Sequence, residues 1–164
     1  MNIDTPLLIV GGGPGAVAAA EIASGYSVPC LMVGHVAGIG PDPEFPVPLA
    51  AEAVAALVPH GVLDVLRPYL AVVDPPTLSP RVFEEVLKQH SIADMNVTVY
   101  DGLEVVEREV SEAGVNAVLT DGRTRWSLSA DALIDTTDFP ENLSEAVLRA
   151  AAEVLAVLSR PGRA

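Results

Sequence analysis

Cysteine is nearly absent from this chain of 164 residues. The single thiol, Cys30, allows neither an internal disulfide framework nor a Cys-x-x-Cys redox pair. Because Cys30 lies in an apolar run, we expect it to be buried and structural. The three histidines, His35, His60 and His90, lack the close spacing of metal ligands, so no metal site is predicted.

Basic residues are also scarce. Nine Lys and Arg against 22 Asp and Glu give a formal net charge of −13, which argues against nucleic acid or an anionic membrane as a main partner. The uncharged residues 5–20 are few for a membrane span and include glycines and Pro14. The N-terminus lacks the positive region of a signal peptide, so we expect a cytoplasmic protein.

Aromatic residues make up only 4% of the chain, whereas hydrophobic residues make up 50%. The core must therefore be built mainly from Ala, Val, Leu and Ile. The length predicts one domain over residues 1–164, with enough apolar side chains for a substantial core.

A glycine cluster follows the first apolar run of the chain. Residues 7–10 predict a strand, residues 11–16 read Gly-Gly-Gly-Pro-Gly-Ala, and an alanine-rich helical pattern comes next. Gly11, Gly13 and Ala16 fit the G-x-G-x-x-G/A dinucleotide-binding fingerprint. Gly13 would let a pyrophosphate approach the backbone, and the helix N-terminus would attract it. The alternative is a turn whose glycines serve close packing alone.

The rest of the pattern predicts an α/β fold with a central parallel sheet and an antiparallel β-meander. After a Pro/Gly-rich loop at residues 34–48, either a lid or a surface connection, helical periodicity alternates with strand patterns. We predict helices at 14–24, 49–58, 62–70, 79–90 and 142–158, strands at 28–33, 97–100, 103–110, 115–120, 125–129 and 131–137, and extended chain at 72–76. The β-meander occupies residues 97–129.

This order of elements resembles the three-layer, Rossmann-like FAD-binding domain of flavoproteins such as glutathione reductase and thioredoxin reductase. The likeness is sharpest at residues 9–14 and at the alanines 18–20. It implies FAD as cofactor and oxidoreductase chemistry supplied by the flavin. The positions that the resemblance assigns to cofactor binding are Gly11, Gly13, Pro14, Gly15, Ala16, Gly34, His35, Thr137 and Asp138.

The chain departs from the family in three places. The family has an acidic residue at the end of the second strand, where this chain has Gly34. Asp138 stands where the family has a glycine after Thr137, so it is either a repulsive substitution or a retained ligand. The NAD(P)H-binding domain is missing between Asp138 and the last helix.

Two functions follow from these departures. The first is a compact FAD-binding oxidoreductase-like protein or redox subunit that needs a partner. The second is a degenerate flavoprotein-like domain without cofactor that serves as a protein-binding or assembly subunit. In both, apolar surface left uncovered predicts a homo-oligomer or a protein partner. The sequence shows no catalytic set, so whether the chain is an enzyme stays open.

Overall fold

The computed structural model describes residues 2–34, 46–58, 61–70, 76–100, 102–140 and 142–159. Its strands are β1 (Asn2–Val10), β2 (Cys30–Val33), β3 (Val47–Pro48), β4 (Thr77–Leu78), β5 (Val97–Tyr100), β6 (Glu104–Ser111), β7 (Gly114–Thr120) and β8 (Arg125–Asp135). Its helices are α1 (Pro14–Gly25), α2 (Ala51–Leu57), α3 (Val62–Leu66), α4 (Pro80–Ala93) and α5 (Leu143–Leu158).

A six-stranded sheet forms the centre of the molecule, in the order β5-β2-β1-β8-β7-β6. The first four strands are parallel, whereas β8, β7 and β6 pair antiparallel. The predicted α/β class, with a parallel sheet joined to a β-meander, is therefore confirmed. The predicted bounds of the meander, residues 97–129, are wrong at the start, because β5 (Val97–Tyr100) pairs in parallel with β2 at the opposite edge of the sheet. β3 and β4 form a separate two-stranded ladder.

The last strand of the sheet differs from the prediction. The sequence pattern predicts two strands, at residues 125–129 and 131–137, but the structure has the single strand β8, which ends at Asp135. β1 pairs in parallel with β8 from Asn2 opposite Ser127 to Val10 opposite Asp135, and β7 pairs with the first half of β8 on its other side. Because β1 pairs with residues on both sides of Ala130, the strand continues past the point where the β7 ladder ends.

Helices cover one face of the sheet. α1 lies against α4 and α5 in a layer over the side chains of Leu7 and Ile9. The alanines of α1 have no Cγ atoms, so the neighbouring helices can approach it closely. Those with no exposed surface are Ala16, Ala18, Ala19, Ala20 and Ala23.

The meander covers the other face. Along β1 the side chains alternate, so Leu8 faces away from Leu7 and Ile9. Leu8 joins Leu31 and Val33 of β2 in a second buried cluster, with Leu119 and Leu128 of the meander. Helices therefore cover one face of the parallel strands, and side chains of the meander, which continues the same sheet, complete the buried cluster on the other face.

A buried polar contact joins α1 to α4. Glu21, 4% exposed, accepts a hydrogen bond from the Ser91 hydroxyl at 2.6 Å, and the Nδ1 atom of His90 lies 3.0 Å from both carboxylate oxygens. Nearby, Cys30 is buried as expected, and burial raises the pKa of its thiol to about 12, with the Asp94 and Glu21 carboxylates acting in the same direction. Cys30 is thus a packing residue rather than a nucleophile.

Element boundaries differ from the prediction where proline or a positive φ intervenes. β2 starts at Cys30 rather than at residue 28, after Ser27 at φ 61° and Pro29. The helix predicted at 62–70 stops at Leu66 and continues as a 3-10 turn through Pro68. α4 keeps its predicted Ser79 cap, with Ser79 Oγ accepting from the Val82 amide at 3.1 Å, but extends to Ala93 rather than His90.

Two predicted segments are covered only in part. In the loop predicted at 34–48, residues 35–45 lie outside the described residues, and Val47–Pro48 forms a ladder with Thr77–Leu78. The extended chain predicted at 72–76 is described only at Pro76. No helix in the described part of the chain combines the length and apolar character needed to cross a membrane.

Candidate dinucleotide-binding site

The glycine turn lies between the carboxyl end of β1 and the start of α1. Gly11 (φ 115°) and Gly13 (φ 93°) both have backbone conformations that side chains disfavour. The Gly11 amide donates to the Val33 carbonyl at 2.9 Å, which fastens the turn to the end of β2. A Cβ on Gly11 would overlap Thr136 Oγ1, so Gly11 serves both the turn and close packing.

Gly13 has open space where a Cβ would stand, with nothing within 4 Å. It is the N-cap of α1 and Pro14 occupies the first helical turn, which contains no acidic residue. The amides of the first turn, including those of Gly15 and Ala16, have no acceptor within the helix. Together with the positive end of the helix dipole, this arrangement suits an anion that approaches past Gly13.

A buried glutamate contacts the same turn. The Gly13 amide donates to Glu84 Oε1 at 3.2 Å, and Glu84, on α4, is only 3% exposed. Burial raises the pKa of Glu84, while the Gly13 N–H and the positive charges of Lys88 and Arg81 act in the opposite direction. Sequence reasoning missed this residue. The available signal is that Glu84 falls on the same helix face as the buried Phe83 and Leu87.

Gly34 packs against the turn at the end of β2. Its φ is 149°, and a Cβ there would lie 2.8 Å from the carbonyl carbon and oxygen of Gly11. Packing therefore accounts for the glycine at the position where the resemblance expects an acid. A side chain at residue 34 would require the turn to move. His35 lies outside the described residues.

A small cavity of about 20 Å³ lies between the turn, β2, β5 and α4. Its lining includes Gly11, Gly13, Gly34, Glu84 and Val99. A cavity of this size holds about one water molecule, whereas sites for drug-sized ligands span about 300–1,000 Å³. The cavity that these described residues enclose beside the turn is thus far smaller than an adenosine.

The end of β8 is fastened to the end of β1 beside this edge. Both the amide and the hydroxyl of Thr136 donate to the Val10 carbonyl, at 2.8 and 2.9 Å. Thr136 is only 6% exposed. It positions the two residues that follow it, Thr137 and Asp138.

Thr137 and Asp138 are both exposed. The amide and hydroxyl of Thr137 donate to Asp135 Oδ1, at 3.0 and 2.6 Å, and Arg108 pairs with the same carboxylate at 2.7 Å. Burial opposes ionisation of Asp135, but these donors outweigh it and lower its pKa. The side chain of Asp138 is 73% exposed and lies 4.0 Å from Arg149.

Phe139 packs over the first turn of α1. Its Cδ2 atom lies 2.5 Å from where a Cβ on Gly15 would stand, so only glycine fits there without a shift. The guanidinium of Arg149 lies 5.2 Å from the centre of the Phe139 ring, within cation–π range. Gly15 therefore accommodates an aromatic ring as well as offering an amide to the turn.

The comparisons with known proteins rest on structure. No protein-family model matches the sequence, and no curated protein matches it. The flavin-dependent monooxygenase PieE, solved in complex with FAD and substrate, superimposes with a TM-score of 0.67 and 22% identity, over 90% of this chain and 32% of PieE. The chain has the fold of an FAD-binding domain.

Two further structures share the flavoprotein fold. The p-nitrophenol 4-monooxygenase PnpA from Pseudomonas putida matches with a TM-score of 0.65 and 19% identity, over 82% of this chain and 40% of PnpA. The anhydrotetracycline hydroxylase OxyS from Streptomyces rimosus matches with a TM-score of 0.65 and 16% identity, over 90% of this chain and 34% of OxyS. This chain therefore spans only about a third of the length of such enzymes.

The resemblance seen in the sequence is confirmed at the level of the FAD-binding domain. A specific likeness to glutathione reductase and thioredoxin reductase is not supported, because these structures are monooxygenases and hydroxylases. The structure brings Gly11, Gly13, Pro14, Gly15, Ala16 and Gly34 together at one edge of the sheet.

Proposed function

We propose that this chain is the FAD-binding part of a flavin-dependent oxidoreductase. The observation that carries the proposal is the glycine turn at the N-terminus of α1, which leaves open space at Gly13 within a fold shared with an FAD-bound monooxygenase. A pyrophosphate would bind there, held by backbone amides of the first helical turn. When bound, FAD supplies the redox chemistry, and the protein supplies position and electrostatics.

Each residue of the turn would have a separate role in binding the pyrophosphate. Gly11 sets the turn, Gly13 leaves room for the anion, and the amides of Gly15 and Ala16 would donate to it. Gly34 supplies no carboxylate for ribose hydroxyls, so that contact would have to come from another residue. Arg149, 4.0 Å from Asp138, offsets the negative charge that Asp138 brings to this edge.

The substrate site would lie elsewhere. Glu84, the carboxylate that lines the cavity at the turn, is already engaged by the Gly13 amide. A further domain or a partner chain would therefore have to complete the enzyme, in keeping with the roughly one-third of the flavoenzymes that this chain spans. Hydroxylation of an organic substrate is the reaction class that these relatives suggest.

The test is titration of the purified chain with FAD, using ADP and NAD as comparison ligands. We expect FAD to bind and the Gly13→Val variant to lose at least about tenfold in affinity, equivalent to about 1.4 kcal/mol. Gly122→Val is the matched control, because Gly122 has nearly the same φ, 94°, and equally open surroundings in the β7–β8 turn. Equal affinities of the two variants would contradict the proposed pyrophosphate site.

A second candidate function is a cofactor-free assembly subunit. The cavity of about 20 Å³ at the turn and the packing of Gly34 against Gly11 favour it. In that case the folded chain would show no thermal shift with FAD, ADP or NAD. Binding of FAD by the wild-type chain would exclude this candidate.

A further inference from the structure

A buried carboxylate on α4 contacts the glycine turn. We propose that Glu84 is a positioning residue for the pyrophosphate site, holding the Gly13 amide and so setting the shape of the turn. This inference rests on the proposed FAD-binding function. Glu84 lies 71 positions from Gly13 in the sequence, so the contact exists only in the folded chain.

The carboxylate has little freedom to move away. It is 3% exposed, and its helix neighbours Phe83 and Leu87 are fully buried in the main core. The N-terminus of α4 is capped by Ser79, which further restricts the helix carrying it. Reorienting Glu84 would leave a buried carboxylate and the Gly13 amide without partners, and both would keep their desolvation cost.

Glu84 and an incoming anion contact different sides of Gly13. The N–H of Gly13 points to Glu84, whereas the direction of the absent Cβ is open for at least 4 Å. No atom of Glu84 lies within 4 Å of the position that a Cβ on Gly13 would occupy, so the carboxylate does not fill the space that an anion needs. The Gly13 amide donates to Glu84, and the amides of the first turn of α1 stay available to donate to the anion.

Charged neighbours on α4 act on the carboxylate of Glu84. Lys88 and Arg81 favour the carboxylate and Glu85 disfavours it. Among the described residues that line the cavity from the turn, β2 and β5, none is ionisable; they are glycines, Ala16, Val17, Met32 and Val99. Repulsion of a pyrophosphate by Glu84 is thus opposed by two nearby cations.

The test compares Glu84→Ala with Glu84→Gln, because glutamine keeps an oxygen acceptor for Gly13 and removes the charge. We expect Glu84→Ala to weaken FAD binding about tenfold and Glu84→Gln to stay within about threefold of the wild type. Glu85→Ala is the matched control, since Glu85 is exposed on the same helix. Thermal melts verify that each variant is folded.

Amide hydrogen exchange adds a readout that needs no ligand. We expect faster exchange at Gly13 in Glu84→Ala than in wild type, Glu84→Gln or Glu85→Ala, because only that variant loses the acceptor. If wild type fails to bind FAD, the proposed function fails, and the exchange data still decide the role of Glu84. Unchanged exchange, unchanged affinity in Glu84→Ala, or tighter binding in both Glu84 variants would overturn the inference.

Discussion

Thr136 joins the ends of two parallel strands by donating twice to one carbonyl, that of Val10. The residues are 126 positions apart. Val10 immediately precedes the glycine turn, and Thr136 Oγ1 lies where a Cβ on Gly11 would be. The same hydroxyl therefore fixes the strand end and requires glycine at position 11.

Replacement of this hydroxyl tests the contact. Thr136→Val keeps the side-chain shape and removes the donor, so we expect the free energy of unfolding to fall by about 1 kcal/mol in urea titrations. Thr98→Val, at an exposed position of β5, is the control and should change stability little. Equal stability of the two variants would mean that the Thr136 hydroxyl contributes nothing.

The two glycines of the turn should respond differently to alanine. Both have positive φ, which costs about 1–3 kcal/mol for a side chain, but only at Gly11 does the added Cβ meet an atom. We expect Gly11→Ala to destabilise the protein by at least about 1 kcal/mol more than Gly13→Ala. Calorimetric melting temperatures of the two variants, measured side by side, show which substitution destabilises the protein more.

Gly15 and Phe139 should be coupled. Gly15→Ala places a Cβ against the Phe139 ring, so we expect a loss of about 1–3 kcal/mol in the free energy of unfolding. In a Phe139→Ala background the same change should stabilise by about 0.5–1 kcal/mol, because alanine favours the helix. A double-mutant cycle measures this reversal of sign, and additive effects would contradict the packing described here.

The carboxylate of Asp135 predicts an acid-dependent contribution to stability. Its pKa is lowered from 3.8 in the folded chain, so the unfolded chain binds a proton first as the pH falls. The stabilisation is present above pH 3.8 and is lost as the pH falls through the lowered folded value.

The corresponding variant is Asp135→Asn. We expect it to lose about 0.5–1 kcal/mol at neutral pH, because the pair with Arg108 is partly exposed, and less below pH 3.8. Asp138→Asn, which removes a more exposed charge, is the control. Urea unfolding followed from pH 7 downward checks both, and a constant difference at all pH values would argue against the assigned cause.

The local signals in the sequence determined much of the architecture. An apolar run, a glycine cluster and an alanine-rich pattern specify β1, the turn and α1, since each depends on neighbours in the chain. The caps of α4 and α5 follow from Ser79 and Asn142, whose side chains accept from amides three residues on. The meander follows from alternating side chains and glycine turns.

Contacts between distant parts of the chain were decided by the tertiary structure alone. β8 is one strand because β1 pairs with it on both sides of Ala130, and residue 34 must be glycine because β2 ends against Gly11. Glu84 reaches Gly13 only once α4 has packed beside α1. Local propensity acts over a few residues, whereas these contacts depend on which surfaces the folded chain buries together.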